Sequence, residues 1–322
     1  MAIDHYLRQV GRGRDGARAL ERTQAGDLFG QVLDGIASDL EVGAFCMAMR
    51  FKGETPIEMA GFLDATRQRT HLVAGDEAPV VLPCYNGARK LPGLTPLLAL
   101  LLARHGAPVL LHGAATESAR VTAAMVMAEL GMPARSSAGP VAPGEAAFLP
   151  TGVLCPGLER LLQVRRAIGV RNPAHSLVKL MNPCAGRALV VGCHTHLEYQ
   201  ASMSATFELM HADALLLRGT EGEPVADPRR TPGMTGYVGG VPRTLQDQQA
   251  GGLRPVPELP STDAGDTARY IEAVLAGRLP LPEPIAVQVE HLLELRRLVL
   301  ADSARHGTDR HGTDRPQPEP PR

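Results

Sequence analysis

"APVVLPCYNGARKLPGLTPLLALLLARHGAPVLLHG", residues 78–113, decides the fold. Two short apolar runs, APVVLPCY and APVLLHG, flank LTPLLALLLARHG, a buried helix that stops at Gly106. Strand, helix and strand at this spacing form a β–α–β crossover, so the predicted sheet is parallel. The loop between the first strand and the helix carries Asn86, Gly87, Gly93 and a candidate cap at Thr95, with Arg89 and Lys90 as cations. Free amides at such a turn point at an anion, and the helix dipole favours negative charge. The loop is therefore a candidate phosphate site. The competing reading is that Gly87 and Gly93 only make turns.

Outward from this unit the pattern changes on the N-terminal side. Residues 27–66 place apolar side chains at helical spacings, with Val42, Phe45 and Met49 on one face and Gly35 and Gly53 as punctuation. Thr55, Pro56 and Glu58 read as a cap, a first-turn proline and a capping-box glutamate. Before them Arg8, Arg12, Arg14, Arg18 and Arg22 recur at helical or near-helical spacing, a candidate basic face or simply a solvated one. On the C-terminal side, SARVTAAMVMAELG and PGLERLLQVRRAIG read as helices, RALVVGC as strand, HLEYQASMSATFELM as helix and ADALLLRGTEGE as strand and loop. Proline and glycine blur residues 229–265, and two helices then close the fold. The expected architecture is α/β: a small helical domain over 1–75, joined by a later helical insertion at about 155–185, and a larger α/β domain over 78–302 with a central, mostly parallel sheet flanked by helices. The tail, residues 303–322, with a duplicated pentapeptide and several prolines, is expected to be disordered.

The chain of 322 residues has a formal net charge of −1, no Trp and few Phe or Tyr, so its core is aliphatic and any anion site is local. Five single cysteines without a C-x-x-C pair argue against a disulfide framework or zinc site. The N-terminal residues lack a long apolar run and LTPLLALLLA is too short to span a bilayer, so no membrane association and a cytoplasmic location are expected. His194 and His196 form H-x-H, but no third ligand at suitable spacing accompanies them, and no metal is expected. Cys84 lies beside the loop without an identifiable activating base.

The segment LFGQVLDGIASDLEVGAFCMAMRFKGETPIEMAGFLDAT (28–66) resembles the helical domain of anthranilate phosphoribosyltransferase. GVRNPAHSLVKLMNP (169–183) resembles the family's G-V-R-T-x-F-N-x-L-G-P-L-x-N-P segment, and LVVGCHTHLEY (189–199) its G-V-x-x-P-E turn. The catalytic motifs depart from the family. Its G-T-G-G-D loop, which wraps the pyrophosphate, reads Tyr85, Asn86, Gly87, Ala88, Arg89 here. K-H-G-N becomes Leu111, His112, Gly113, Ala114, and the adjacent D-E pair that holds magnesium falls near Glu221 and Glu223, which are not adjacent.

In these departures the chain resembles the YbiB-type branch, a paralogue of the phosphoribosyltransferase. That resemblance implies a homodimer that binds nucleic acid, DNA included, without sequence preference in basic grooves, needing no cofactor. The expected phosphate contacts are Arg89, Lys90, Asn86, Gly87, Arg8, Arg12, Arg14, Arg18, Arg171 and Lys179, of which Arg171 and Lys179 could instead pair internally with Glu159 or another carboxylate. Tyr85, Thr95, His112 and Gly113 would line a ligand pocket. The alternative is a glycosyl- or phosphoribosyltransferase of altered substrate, and only that alternative requires Mg2+.

Overall fold

Strand residues that alternate between two cores explain why the central runs are apolar throughout. In a computed structural model, which describes residues 2–310 except positions 14, 76 and 257 and no side chains beyond 305, Val81, Leu110 and Val190 face one core while Val80, Leu82, Val109 and Leu111 face the other. A sheet covered on both faces needs apolar residues at both parities.

The N-terminal helices are α1 (Asp4–Val10), α2 (Arg22–Leu33), α3 (Asp39–Lys52) and α4 (Pro56–Gln68). Capping boxes start α3 and α4, at Ser38 with Glu41 and at Thr55 with Glu58, the second as expected. Each glutamate uses its other oxygen to tie down the N-terminal segment: Ile3 N donates to Glu41 at 3.3 Å and Leu20 N to Glu58 at 3.0 Å. Phe29 and Phe62 stack at 4.6 Å in the middle of this bundle.

The expected arginine face does not form as one stripe. Helix α1 ends at Val10, so Arg12 and Arg18 lie beyond it and donate to nearby carbonyls, while Arg8 pairs with Asp4 and Arg22 with Asp64. Arg14 lies outside the described residues.

The rest of the chain runs β1 (Val80–Pro83), α5 (Thr95–Arg104), β2 (Val109–Gly113), α6 (Ala123–Glu129), β3 (Ala146–Pro150), α7 (Thr151–Leu154), α8 (Pro156–Ile168), α9 (Ala174–Leu177), β4 (Leu189–His194), α10 (Leu197–Leu209), β5 (Ala214–Arg218), β6 (Met234–Val238), β7 (Val241–Gln246), α11 (Ala264–Leu275) and α12 (Glu283–Arg310). The strands form one sheet in the order β3-β2-β1-β4-β5-β6-β7, parallel through β5 and antiparallel for β6 and β7. The expected α/β architecture is therefore present. Helix α8 returns to the N-terminal bundle, where Arg160 Nη2 donates to Leu33 O at 2.7 Å and Gly157 allows backbone contact.

The structure fills one stretch left open and alters one expectation. The blurred stretch contains the β6–β7 hairpin, whose glycine-rich sequence hides its alternation. Residues 303–310 continue α12 rather than beginning a disordered tail, because the helix is already propagating from its packed stem; residues 311–322 lie outside the described residues.

Strand order reverses between β1 and β4, and loops leaving the carboxyl ends of these strands diverge. In open α/β sheets this is where ligands bind.

Candidate functional site

The loop after β1 meets the turn after β5 at this switch point, and the meeting is made of hydrogen bonds. Asn86 N and Gly87 N donate to Glu223 Oε1 at 2.7 and 2.8 Å. Arg89 N, Lys90 N and Leu91 N converge on Glu221, at 2.7, 3.0 and 3.4 Å for the shortest contact of each. Thus five loop amides, the donors expected to hold phosphate, are taken by two carboxylates of the same chain. The turn is shaped for this: Glu221 and Gly222 have φ of 53° and 86°, and a Cβ on Gly222 would lie 1.8 Å from Asn86 Nδ2. Glu223 is buried, and burial raises its carboxyl pKa against the opposing pull of the two amides and Lys179.

Lys179 is likewise buried rather than facing a groove. Its Nζ donates to Gly222 O at 3.1 Å and Cys193 O at 3.4 Å, so it braces the turn from beneath. Asn86, Gly87 and Lys179 are thus internal partners and not free phosphate contacts, since their donors are spent inside the fold. Arg89 and Lys90 differ: their amides are used, but their side chains are exposed to solvent.

Beneath the loop, Tyr85 Oη lies 2.8 Å from His112 Nδ1 and 2.9 Å from Thr151 Oγ1. His112 is wholly buried, burial lowers its pKa to about 3, and its Nε2 has no partner. Gly113 is required sterically, because a Cβ there would lie 2.0 Å from Cys84 O. Thr95 is not the helix cap: Leu94 occupies that position, and Thr95 Oγ1 is buried without a partner. Cys84 is buried with its thiol pKa pushed well up by burial, which removes it as a nucleophile. His194 ends β4 and His196 precedes α10 without a side-chain capping bond, and no cluster of three or more His, Cys, Asp or Glu among the described residues could hold a metal.

A basic cluster in the cleft contains the expected Arg171 together with two arginines that the sequence reading missed. Arg120 and Arg165 both pair with Glu117, at 3.0 and 2.6 Å, and Arg171 stands 3.8 Å from the same carboxylate while donating to Asn86 Oδ1 at 3.0 Å. Three guanidinium groups therefore share one carboxylate. With three arginines on one glutamate the cluster is under-neutralised, and burial, then the neighbouring Arg165, lowers the Arg171 pKa. His175 beside it is lowered to about 4, first by burial and then by Arg171, and its Nε2 has no partner. Glu159, the partner considered for Arg171, is instead held by Gln163 at 2.6 Å. The arginines between 117 and 171 were visible as residues, but Glu117 and Arg120 follow β2, Arg165 lies on α8 and Arg171 follows α8, and only the fold joins these segments.

Comparison with known proteins agrees with this architecture. Residues 4–70 match the helical bundle domain of a glycosyl transferase family. The uncharacterized protein YbiB of Escherichia coli strain K12 is 38% identical over 292 residues, covering 88% of this chain and 91% of that one. The chain belongs to the YbiB family. This family is homologous to anthranilate phosphoribosyltransferase: the enzyme of Anaeromyxobacter dehalogenans strain 2CP-C is 29% identical over 287 residues, 86% of this chain and 83% of the enzyme. Among solved structures, anthranilate phosphoribosyltransferase from Thermus thermophilus superposes with a TM-score of 0.69 at 21% identity, over 92% of this chain and 94% of that one. The Saccharomyces cerevisiae enzyme in complex with PRPP and Mg gives 0.67 at 14% identity, over 92% and 88%. These superpositions show that the YbiB-family chain shares the fold.

The residues at the position of the magnesium pair do not suit a metal here. Glu221 and Glu223 point into the loop amides, and the carboxylate oxygen left over, Glu223 Oε2, is buried.

Proposed function

We propose that this chain is a cytoplasmic, homodimeric nucleic-acid-binding protein that grips backbone phosphates, DNA included, without sequence preference on a phosphoribosyltransferase scaffold. The observation that carries this reading is the occupation of the loop amides by Glu221 and Glu223. With the shaped cradle filled, the anion-binding capacity of the cleft lies in side chains: exposed Arg89 and Lys90 at the rim and the Arg120, Arg165 and Arg171 cluster below. Mobile point charges and guanidinium forks suit a repeating phosphodiester better than one enclosed pyrophosphate. No helix among the described residues is long and apolar enough to cross a membrane.

The test is titration of a labelled single-stranded oligonucleotide at two salt concentrations. Wild type binds with a steep salt dependence, and the double charge reversal Arg89→Glu/Lys90→Glu weakens binding by about tenfold or more, with a shallower slope. Undiminished binding by the double variant would remove the loop from the interface.

A second reading, a phosphoribosyl- or glycosyltransferase of altered acceptor, is favoured by the homology to anthranilate phosphoribosyltransferase along most of the chain. The buried Tyr85, His112 and Thr151 would then support the floor beneath the substrate without touching it. Mg2+-dependent consumption of phosphoribosyl pyrophosphate with an aromatic amine or nucleobase would establish it, and absence of turnover with a panel of such acceptors leaves the binding reading alone.

A further inference from the structure

We propose that Glu221 is an internal pseudo-ligand that determines which anions the loop after β1 takes: its carboxylate fills the amide nest of Arg89, Lys90 and Leu91 and thereby excludes free diphosphate-type anions. Three consecutive amides aimed at one anionic group form an anion nest. Here that group belongs to the chain itself, with both Glu221 oxygens engaged by Lys90 N at 3.0 and 3.1 Å. The second carboxylate, Glu223, fills the neighbouring pair of amides at Asn86 and Gly87. Two anionic centres along one loop, one residue apart on the turn that supplies them, copy the charge distribution of a diphosphate.

The turn is built to present Glu221. Its own φ is 53°, a conformation that side-chain-bearing residues rarely adopt, and its carbonyl accepts Asn86 Nδ2 at 3.1 Å. Lys179 Nζ holds the next carbonyl, Gly222 O, at 3.1 Å, so the backbone beneath the carboxylate is pinned from both sides. Glu223 is buried at 4% exposure and cannot leave without cost, whereas Glu221 sits at the rim, only partly buried. Glu221 is therefore the group whose removal opens the nest. This selectivity goes beyond the binding reading above, since it concerns which anion the amides admit, and it stands against a transferase that takes a diphosphate at this loop.

Inorganic pyrophosphate is the probe, titrated by calorimetry into wild type, Glu221→Gly and Glu221→Gln. Glycine removes the carboxylate and fits the positive φ, so the backbone should keep its course. The expected result is at least tenfold tighter pyrophosphate binding by Glu221→Gly, with Glu221→Gln between it and wild type. A folded Glu221→Gly whose affinity stays within twofold of wild type overturns the proposal. Should that variant fail to fold, the backbone amide resonances of Arg89, Lys90 and Leu91 in Glu221→Gln decide: movement with pyrophosphate in the variant but not in wild type supports the pseudo-ligand, and no movement in the variant overturns it. Oligonucleotide titration of wild type runs alongside, and its failure would count against nucleic-acid binding while leaving the pyrophosphate result to stand or fall separately.

Discussion

His112 shows how one buried side chain sets a pH dependence. It is neutral in the folded protein, with its pKa lowered by burial from 6.5 to about 3, while the unfolded chain takes up the proton near 6.5. The unfolded state therefore binds more protons between these values. Stability from this site is fully present above pH 6.5 and is lost as pH falls through the window towards 3. From pH 6.5 to 5 the loss is about 2 kcal/mol. Chemical denaturation of wild type and His112→Leu at pH 7 and pH 5 measures it: the variant should lose less on acidification, even if it starts less stable through loss of the Tyr85 bond. Equal losses in the two proteins would place the acid sensitivity elsewhere, with His175, lowered to about 4, the next residue to replace.

Among the elements, the close approach of α2 and α4 rests on two glycines. Gly26 and Gly61 face each other, and a Cβ built on Gly61 would lie 2.2 Å from Arg22 O and 2.9 Å from Gly26 N. Those are backbone atoms of a helix, so the helices must separate to admit even a methyl group. The stacked Phe29 and Phe62 separate with them. Gly61→Ala should destabilise by about 2–4 kcal/mol despite the better helix propensity of alanine, as read from urea denaturation midpoints. A neutral or stabilised variant would mean that the bundle tolerates wider spacing. Helix α4 with its cap and the β–α–β unit were readable in the sequence because each is set by neighbours a few residues apart. The β6–β7 hairpin was not, since Gly236, Gly239 and Gly240 replace the alternating side chains that would announce it.

For the whole molecule, α3 carries the apolar surface on which the proposed assembly can be tested. Leu40 and Phe51 are 85% and 80% exposed, eleven residues apart and so nearly on one helical face, with Ile36 at 60% just before the helix. An exposed apolar strip of this kind suits a partner surface. The homodimer proposed above would bury it. Light scattering should then give about twice the chain mass for wild type and the single-chain mass for Leu40→Glu/Phe51→Glu, with unchanged helical content. A monomeric wild type would remove this surface from the proposal.

By itself the sequence determined the α/β class, the helical start of the chain and the loop after β1 as the place to look, because hydrophobic period, caps and turn residues act over short distances. It also displayed every charged group of the site. What it left open was their use. Glu221 reaches Arg89 N, and Lys179 reaches Gly222, only because β1, β4 and β5 lie side by side in the sheet. Tertiary structure alone decided that the loop's amides hold the chain's own carboxylates, and that the unspent positive charge stands on side chains brought from separate segments of the chain.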